Sequence, residues 1–191
     1  MKSAPNIQLD DVALLKAISN RDESAFTKLY ALYQPRLLKF CAGYLKGDVA
    51  LAADVADDAL FDVWNKAASY KETARVSTWI FTIARNKTID FLRKKRELSL
   101  ADDDEVIIED GSAAPDELTS QANEQERIKE CLAKLSDNHR EMILLMYYQG
   151  LTIREIAVIT NNPENTVKTR MFHAREKMNK QLLRMGIEGY P

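Results

Sequence analysis

Glycine, proline, cysteine and histidine are all scarce in this chain. Its 191 residues include six glycines, five prolines, two cysteines and two histidines. Few glycines and prolines argue against collagen-like chains and turn-dense β architectures. Two cysteines cannot build a disulfide framework. Because Cys41 and Cys131 both fit apolar helical stripes, we expect buried thiols in a reduced setting.

Long hydrophobic runs and enzyme motifs are missing as well. The longest apolar run, Met142–Tyr148, is far shorter than the roughly 18–20 residues of a membrane span. The N-terminus, MKSAPNIQLDD, lacks the apolar core of a signal peptide. We therefore expect a cytoplasmic protein without membrane insertion. No Gly-rich phosphate loop, G-x-S-x-G, H-E-x-x-H or Cys/His metal spacing occurs, so we predict no enzyme activity, cofactor, metal site or small-molecule substrate.

Charge is distributed in three unlike blocks. Residues 1–96 contain 16 Lys/Arg and 11 Asp/Glu, and residues 127–191 contain 11 Lys/Arg and 7 Asp/Glu. Between them, residues 97–126 contain 11 Asp/Glu and no Lys/Arg. Self-repulsion favours an extended segment here, so we predict domains at 1–97 and 127–191 joined by an acidic linker at 98–126. A plain solvated spacer is the alternative interpretation of the linker.

The hydrophobic pattern of both flanking blocks is helical. Apolar residues recur every three or four positions around Phe26–Cys41, and again around Val76–Phe91. Between them, Val55, Ala59, Phe61 and Trp64 mark an amphipathic helix from about Val49 to Ala68. No run alternates convincingly with period two. The predicted class is all-α, with two small helical domains, the second of which contains a helix-turn-helix.

The helix-turn-helix is predicted from local signals in the C-terminal block. Ser136 or Asp137 can cap a helix that Gly150 ends. Thr152 and Glu155 have capping-box spacing and open a short helix. Asn161-Asn162-Pro163 then forms the turn, with Asn162 as cap and Pro163 as the first residue of the last helix. A short helix, a tight turn and a second helix are typical of DNA-binding proteins.

The last helix presents two distinct faces. Val167, Met171, Ala174, Met178 and Leu182 form a buried stripe. Opposite them lie Thr169, Phe172, His173 and Glu176, flanked by Lys168, Arg170 and Arg175. Cations for phosphates, polar tips for base edges and a ring for a thymine methyl suit the major groove. A structural helical hairpin with Phe172 packed on a neighbour is the alternative.

Two charged surfaces are predicted in the N-terminal block. Asp54, Asp57, Asp58 and Asp62 lie three or four residues apart and form an acidic stripe, which either docks a basic partner or is an ordinary solvated face. The following helix carries Arg85, Ile89, Arg93 and Arg96 on one side, with Trp79, Phe81 and Phe91 nearby. Basic charge with aromatics is typical of single-strand binding. Alternatively the aromatics belong to the core.

Four stretches follow one another in the chain: ADVADDALFDVWNKA, STWIFTIARNKTIDFLRKKRE, LSDNHREMILLMYYQGLTIREIA and NTVKTRMFHAREKM. With their flanks, over about residues 10–97 and 127–182, they resemble the extracytoplasmic-function (ECF) sigma factors of the sigma-70 family. The resemblance implies an RNA polymerase sigma factor that binds core polymerase, promoter DNA and an anti-sigma factor. It also implies that the acidic linker threads toward the polymerase cleft. At His173 the family frequently has arginine, so the inherited sequence preference does not transfer directly.

The resemblance also implies roles for individual residues. Asp54, Asp58 and Trp64 would bind polymerase, and Asp57 and Asp62 of the acidic stripe are predicted to join them. The loop Ser69–Ser77 would capture a flipped −10 base. The −10 contacts would come from Arg85, Asn86, Arg93, Lys94, Lys95 and Arg96. The −35 contacts would come from Lys168, Thr169, Arg170, Phe172, His173 and Arg175.

Two rival functions are kept alongside the sigma-factor interpretation. One is a stand-alone helix-turn-helix regulator with an N-terminal sensing or dimerising module. The other is a helical adaptor that binds no DNA. A sensor module needs neither the acidic stripe nor an aromatic-basic helix, and an adaptor does not need two separate basic helices.

Overall fold

The fold comes from a computed structural model that describes the backbone of residues 7–45, 47–101 and 120–185, with side chains at 11–45, 47–97 and 127–185. Throughout these ranges the regular secondary structure is helical, which confirms the all-α class. The α-helices are α1 Ile7–Ser19, α2 Glu23–Tyr44, α3 Val49–Lys66, α4 Val76–Ala101, α5 Ser120–Ala133, α6 Asp137–Ile143, α7 Ile153–Thr160 and α8 Glu164–Arg184. In the described ranges, no helix is both long and apolar enough to cross a bilayer.

Helices α1–α4 form the N-terminal unit. Two of them begin at aspartate caps: Asp22 accepts from the Ala25 amide and Asp48 from the Leu51 amide, each at 3.0 Å. The core contains fully buried side chains from all four helices, among them Leu15, Leu29, Leu60 and Phe81. A 3₁₀ turn, Ala67–Ser69, follows α3. The sequence reasoning did not predict α1.

Phe61 was predicted on the apolar side of α3, and this prediction is wrong. Its side chain is 61% exposed, whereas Leu60 and Val63 are buried. At 100° per residue, Phe61 lies on the same side of the helix as Asp54, Asp57 and Asp58, so its exposure follows from the register of α3.

Helices α5–α8 form the C-terminal unit, and α7 and α8 are its helix-turn-helix. Thr152 and Glu155 form the predicted capping box, with the Thr152 amide 2.8 Å from the Glu155 carboxylate. Asn161 adopts the expected left-handed conformation, with φ 51°. The cap of α8 differs by one residue, because Pro163 itself holds the cap position and Asn162 donates to the Thr160 carbonyl instead.

Helix α6 continues into a π-helical turn, Leu144–Tyr148, before Gly150 changes direction with φ 67°. Ser136 precedes α6 but makes no capping bond to the backbone. Arg140 is buried and donates to the carbonyls of Leu132 and Ala133 at the end of α5, and to that of Leu135 just after it. These hydrogen bonds from Arg140 therefore link α6 to the end of α5.

The ends of the predicted linker are helical, since α4 runs through Ala101 and α5 begins at Ser120. The remainder, 102–119, lies outside the described residues. Both cysteines are buried as predicted. Cys41 lies 3.4 Å from the Thr88 hydroxyl, and burial raises the pKa of its thiol to about 11. Burial also raises the pKa of the Cys131 thiol.

The two units pack on each other through one continuous core. Helix α6 of the C-terminal unit meets α2, and α7 meets α4. The two units approach closely at Gly43, where an added Cβ would lie 2.4 Å from Leu144 Cδ1. Glycine therefore lets α2 and the π-helical turn approach this closely.

Candidate nucleic-acid interface

Helix α8 displays the predicted recognition residues on its outer face. Val167, Met171, Ala174 and Leu182 are buried, and Met178 is partly buried. Phe172 is 65% exposed, so it does not pack on a neighbouring element as the hairpin alternative requires. Lys168, Thr169, His173, Arg175 and Glu176 are also exposed, whereas Arg170 is partly buried. The structure thus places the predicted set on a single helix, with Phe172 on its outer face and Arg170 at the margin of the buried stripe.

Two residues of this face are held by neighbours. The Arg175 guanidinium lies 5.4 Å above the Tyr147 ring, and one of its nitrogens is 3.8 Å from Met146 Sδ. Phe172 meets the His173 ring edge-on at 5.4 Å between centroids. Arg175 is therefore positioned by the π-helical turn, a contact that no local sequence pattern indicates.

A groove of about 400 Å³ runs beside this face. Its lining is mainly apolar and includes Ile143, Tyr147 and Met178, together with Phe172 and Arg175. Phe172 therefore borders both the outer face of α8 and this groove.

His139 joins the same surface, although sequence reasoning gave it no role. Its Nδ1 lies 2.8 Å from Ser136 Oγ and 3.4 Å from Lys177 Nζ. Burial, followed by the nearby Lys177, His173 and Arg170, lowers the pKa of His139. Only the packing of α6 on α8 brings His139 next to these α8 side chains, so no pattern within either helix could have identified this contact.

The predicted −10 residues of α4 separate into two groups. Asn86, Arg93, Lys94, Lys95 and Arg96 are exposed. Arg93 makes surface ion-pair contacts with Asp90 at 3.2 Å and Glu97 at 4.0 Å. Because exposed ion pairs of this kind contribute little free energy, Arg93 can replace these carboxylates with a DNA phosphate at little cost. Trp79 and Phe91 are partly buried against the core, which agrees with the alternative that these aromatic residues belong to the core.

Arg85 is the exception, because it does not lie on an open basic track. Its Nε is 2.5 Å from Glu141 Oε1, and only 18% of its side chain is exposed. Burial lowers the pKa of Arg85, but the hydrogen bond and charge of Glu141 outweigh it and the net shift is upward. In this conformation Arg85 is thus engaged by α6 of the other unit.

The loop before α4 is shorter than the predicted Ser69–Ser77, since Ser69 ends the 3₁₀ turn and Ser77 belongs to α4. Tyr70 orders the loop: its hydroxyl donates to the Ala74 carbonyl at 2.5 Å, and its ring lies 5.5 Å from Trp79. Glu72 adopts a left-handed conformation, with φ 55°.

The acidic stripe on α3 is only partly open. Asp54, Asp57 and Asp58 are exposed, and Asp57 accepts a hydrogen bond from the Tyr30 hydroxyl at 2.8 Å. Asp62 pairs with Lys66 at 2.7 Å and Lys87 at 3.2 Å. Partial burial opposes the shift, but these two lysines lower the pKa of Asp62.

Trp64, the fifth predicted polymerase contact, is partly buried. Its ring meets Phe26 edge-on at 5.1 Å, and the Arg21 guanidinium lies 5.3 Å above it. Phe61 is the residue that sequence reasoning missed here, since it is an exposed aromatic beside three carboxylates. The signal was available in the sequence, because the helical register of α3 groups Phe61 with the aspartates.

Two family models match the chain. "Sigma-70 region 2" matches residues 29–97, and "Sigma-70, region 4" matches residues 125–178. The first therefore covers the acidic stripe and most of α4, and the second covers α7 and most of α8.

Curated relatives match over nearly their whole length. The chain is 35% identical to the ECF RNA polymerase sigma factor RpoE of Cereibacter sphaeroides over 178 residues, which covers 91% of this chain and 95% of the relative. It is 31% identical to SigW of Bacillus subtilis, another ECF RNA polymerase sigma factor, with 88% and 94% covered.

Solved structures share the arrangement of helices. The sigma factor RpoE from Bartonella quintana, solved in complex with the anti-sigma factor NepR, matches with a TM-score of 0.70 and 29% identity, covering 82% of this chain and 96% of that one. CnrH, in complex with the cytosolic domain of CnrY, matches with a TM-score of 0.68 and 21% identity over 91% and 97%. The latter supports the fold alone.

Proposed function

The chain belongs to the ECF sigma factors of the sigma-70 family, and from this premise we propose which of its surfaces contact promoter DNA and polymerase. It is an RNA polymerase sigma factor, whose partners are core polymerase and promoter DNA. The exposure and charge of individual side chains support each of these contacts.

The outer face of α8 reads the −35 element. The observation that carries this assignment is the pairing of a buried stripe with an exposed Phe172 on the second helix of a helix-turn-helix. Thr169, Phe172 and His173 point away from the core and contact base edges. Lys168, Arg170 and Arg175 contact phosphates, which position the helix without reading sequence.

The exposed end of α4 contacts the −10 element. Asn86 and the run Arg93–Arg96 supply a cationic track for a melted strand. Arg85 belongs to the same side of α4 and joins the track when it is released from Glu141. The Tyr70–Arg75 loop holds the unstacked base. Neutralising Arg93–Arg96 therefore reduces the salt dependence of open-complex formation, because fewer counterions are released.

Asp54, Asp57, Asp58 and Phe61 bind core polymerase. Three exposed carboxylates around an aromatic ring match a basic surface with an apolar centre, the usual composition of a protein–protein hot spot. Asp62 and Trp64 hold α3 in place, since both are engaged within the N-terminal unit. Replacing Asp54 and Asp58 with arginine places like charges together and abolishes binding.

The protein performs no catalysis of its own and acts in the cytoplasm, where polymerase works on DNA. An anti-sigma factor controls it, in keeping with the B. quintana relative solved with NepR. The acidic linker enters the positively charged cleft of polymerase.

A pooled promoter library transcribed by core polymerase, with and without this protein, tests the function. We expect transcripts from a subset of templates that share −35 and −10 sequences, and only when the protein is present. Duplex DNA binding without any polymerase-dependent transcript would instead support the stand-alone regulator.

A further inference from the structure

Asn165 lies in the first turn of α8, on the side of the helix opposite the buried stripe. The helix begins at Glu164, one residue earlier. At 100° per residue, Asn165 shares one line along the helix with Thr169, Phe172 and Glu176. Its side chain is exposed, as are those of the other three residues. Asn165 therefore belongs to the outer face of α8, although sequence reasoning did not include it.

The side-chain amide of Asn165 has both its donor and its acceptor available. The backbone carbonyl of Asn165 accepts from the Thr169 hydroxyl at 3.0 Å, but none of the described residues hydrogen-bonds to the side-chain amide. Thr169 directs its only hydroxyl proton to the helix backbone, and Glu176 accepts from Lys180 at 2.7 Å. Of the four residues on this line, Asn165 is thus the one whose side chain can donate to a base and accept from it at the same time.

The stability of α8 does not account for an asparagine at this position. Asparagine is a weaker helix former than alanine, because its side chain competes for backbone hydrogen bonds. The cap position of α8 is held by Pro163, and the Asn165 amide caps no backbone group of the described residues. The amide is therefore available for a partner outside the chain.

The position of Asn165 suits contact with a base edge. In a helix-turn-helix, the N-terminal residues of the second helix reach the base edges of the major groove. Adenine presents there the N7 acceptor beside the N6 donor, whereas guanine presents two acceptors, cytosine a donor, and thymine an acceptor with a methyl group. An asparagine amide, with one acceptor and one donor group, matches adenine.

We propose that Asn165 selects an adenine of the −35 element through two hydrogen bonds. The amide nitrogen donates to adenine N7, and the adenine N6 amino group donates to the amide oxygen. This inference rests on the proposed function of α8 and names one base that α8 selects.

The structure also limits where this adenine lies relative to the other base contacts. Asn165 and Phe172 are seven residues apart, which is about 10 Å along the helix axis. Base pairs stack about 3.4 Å apart, so the two side chains reach positions about three base pairs from each other. Replacing Asn165 therefore changes the preference at a different −35 position from the one that Phe172 contacts.

Two variants of Asn165 and one control isolate this contact. Asn165→Ala removes the donor and the acceptor, and it does not weaken the helix. Asn165→Asp keeps the size of the side chain but removes the donor to N7. Asn179→Ala removes the same amide from another exposed position of α8, about 20 Å further along the helix. Thermal unfolding of each variant establishes that it is folded.

The measurement is transcription of the promoter library by core polymerase with each protein, analysed base by base across the −35 element. We expect the wild-type protein to favour adenine at one position by about 5- to 150-fold over other bases. Asn165→Ala and Asn165→Asp lose this preference and keep those at the other positions. Asn179→Ala keeps the preference for adenine.

A modified template tests the same contact in the wild-type protein. In 7-deazaadenine a carbon replaces N7, while the Watson–Crick edge is unchanged. Placed at the selected position, this base should weaken transcription by the wild-type protein, whereas Asn165→Ala should transcribe the modified and unmodified templates equally. Equal weakening of both proteins by 7-deazaadenine would exclude a contact between Asn165 and N7.

The proposal is overturned if Asn165→Ala keeps every −35 preference or weakens all promoters by one common factor. It also fails if Asn179→Ala loses the same preference, since the effect then does not belong to Asn165. The proposed function is tested separately, because it fails only when no promoter-specific transcript depends on the protein. If such transcripts appear and the adenine preference survives in Asn165→Ala, the function stands and this contact does not exist.

Discussion

Phe61 offers a sharp test of the polymerase-binding surface. Its ring is 61% exposed, so its removal should not open a cavity in the core of the N-terminal unit. The same ring lies beside Asp57 and Asp58, where the proposed partner docks. We therefore expect Phe61→Ala to weaken polymerase binding while leaving the thermal unfolding of the free protein unchanged.

The size of the effect follows from the exposed area. A phenylalanine buries about 150–250 Å² at most, so about 100–150 Å² of Phe61 remains available to a partner. At about 25 cal/mol per Å², and with the Cβ retained in alanine, the loss is about 2–3 kcal/mol. This corresponds to a Kd for core polymerase that is about 30- to 150-fold weaker.

The assay is a titration of labelled protein with core polymerase, accompanied by thermal unfolding of each free variant. Phe172→Ala is the control, because it removes an equally exposed ring from the other unit. It should bind core polymerase as wild type does. If Phe61→Ala also binds with the wild-type Kd, while Asp54→Arg with Asp58→Arg does not bind, carboxylates alone carry docking and the reasoning about the ring is wrong.

Three further predictions concern α8, His139 and Cys41. In the promoter library, Arg175→Ala should weaken transcription from all promoters alike and lower the slope of log affinity against log salt concentration by about one. Phe172→Ala and His173→Arg should instead change the base preference at particular −35 positions by roughly 1–3 kcal/mol per base pair. If these two variants changed transcription from every promoter by the same factor, base reading by Phe172 and His173 would be contradicted. The folded-state pKa of His139 is lowered from 6.5, so below about that pH the unfolded chain binds more protons and stability falls as pH drops. His139→Gln should flatten this part of the curve of unfolding free energy against pH, and an unchanged curve would show that His139 does not contribute. The Cys41 thiol, with a pKa of about 11, should resist alkylation by iodoacetamide at neutral pH until the protein unfolds. Mass spectrometry of native and denaturant-treated samples, with Cys41→Ser as the control, measures this labelling. Rapid labelling of Cys41 in the native protein would contradict its burial.

The sequence by itself determined the features that depend on residues a few positions apart in the chain. The stripe of Val167, Met171 and Ala174 defined the free side of α8, because residues three and four apart share a helix face. Thr152 and Glu155 marked the start of α7 for the same local reason. Even the exposure of Phe61, which the prediction missed, was fixed by the register of α3.

Tertiary structure decided which charges are available. Arg85 and Glu141 are separated by 56 positions, and no periodic pattern links residues across an acidic linker. His139 lies near Lys177 only because α6 packs on α8. The sequence does not show whether a charged side chain faces solvent, DNA or a buried partner, since that environment depends on how separate helices pack. The sequence thus located the basic helix, and only the packing of the two units revealed that its first arginine is engaged.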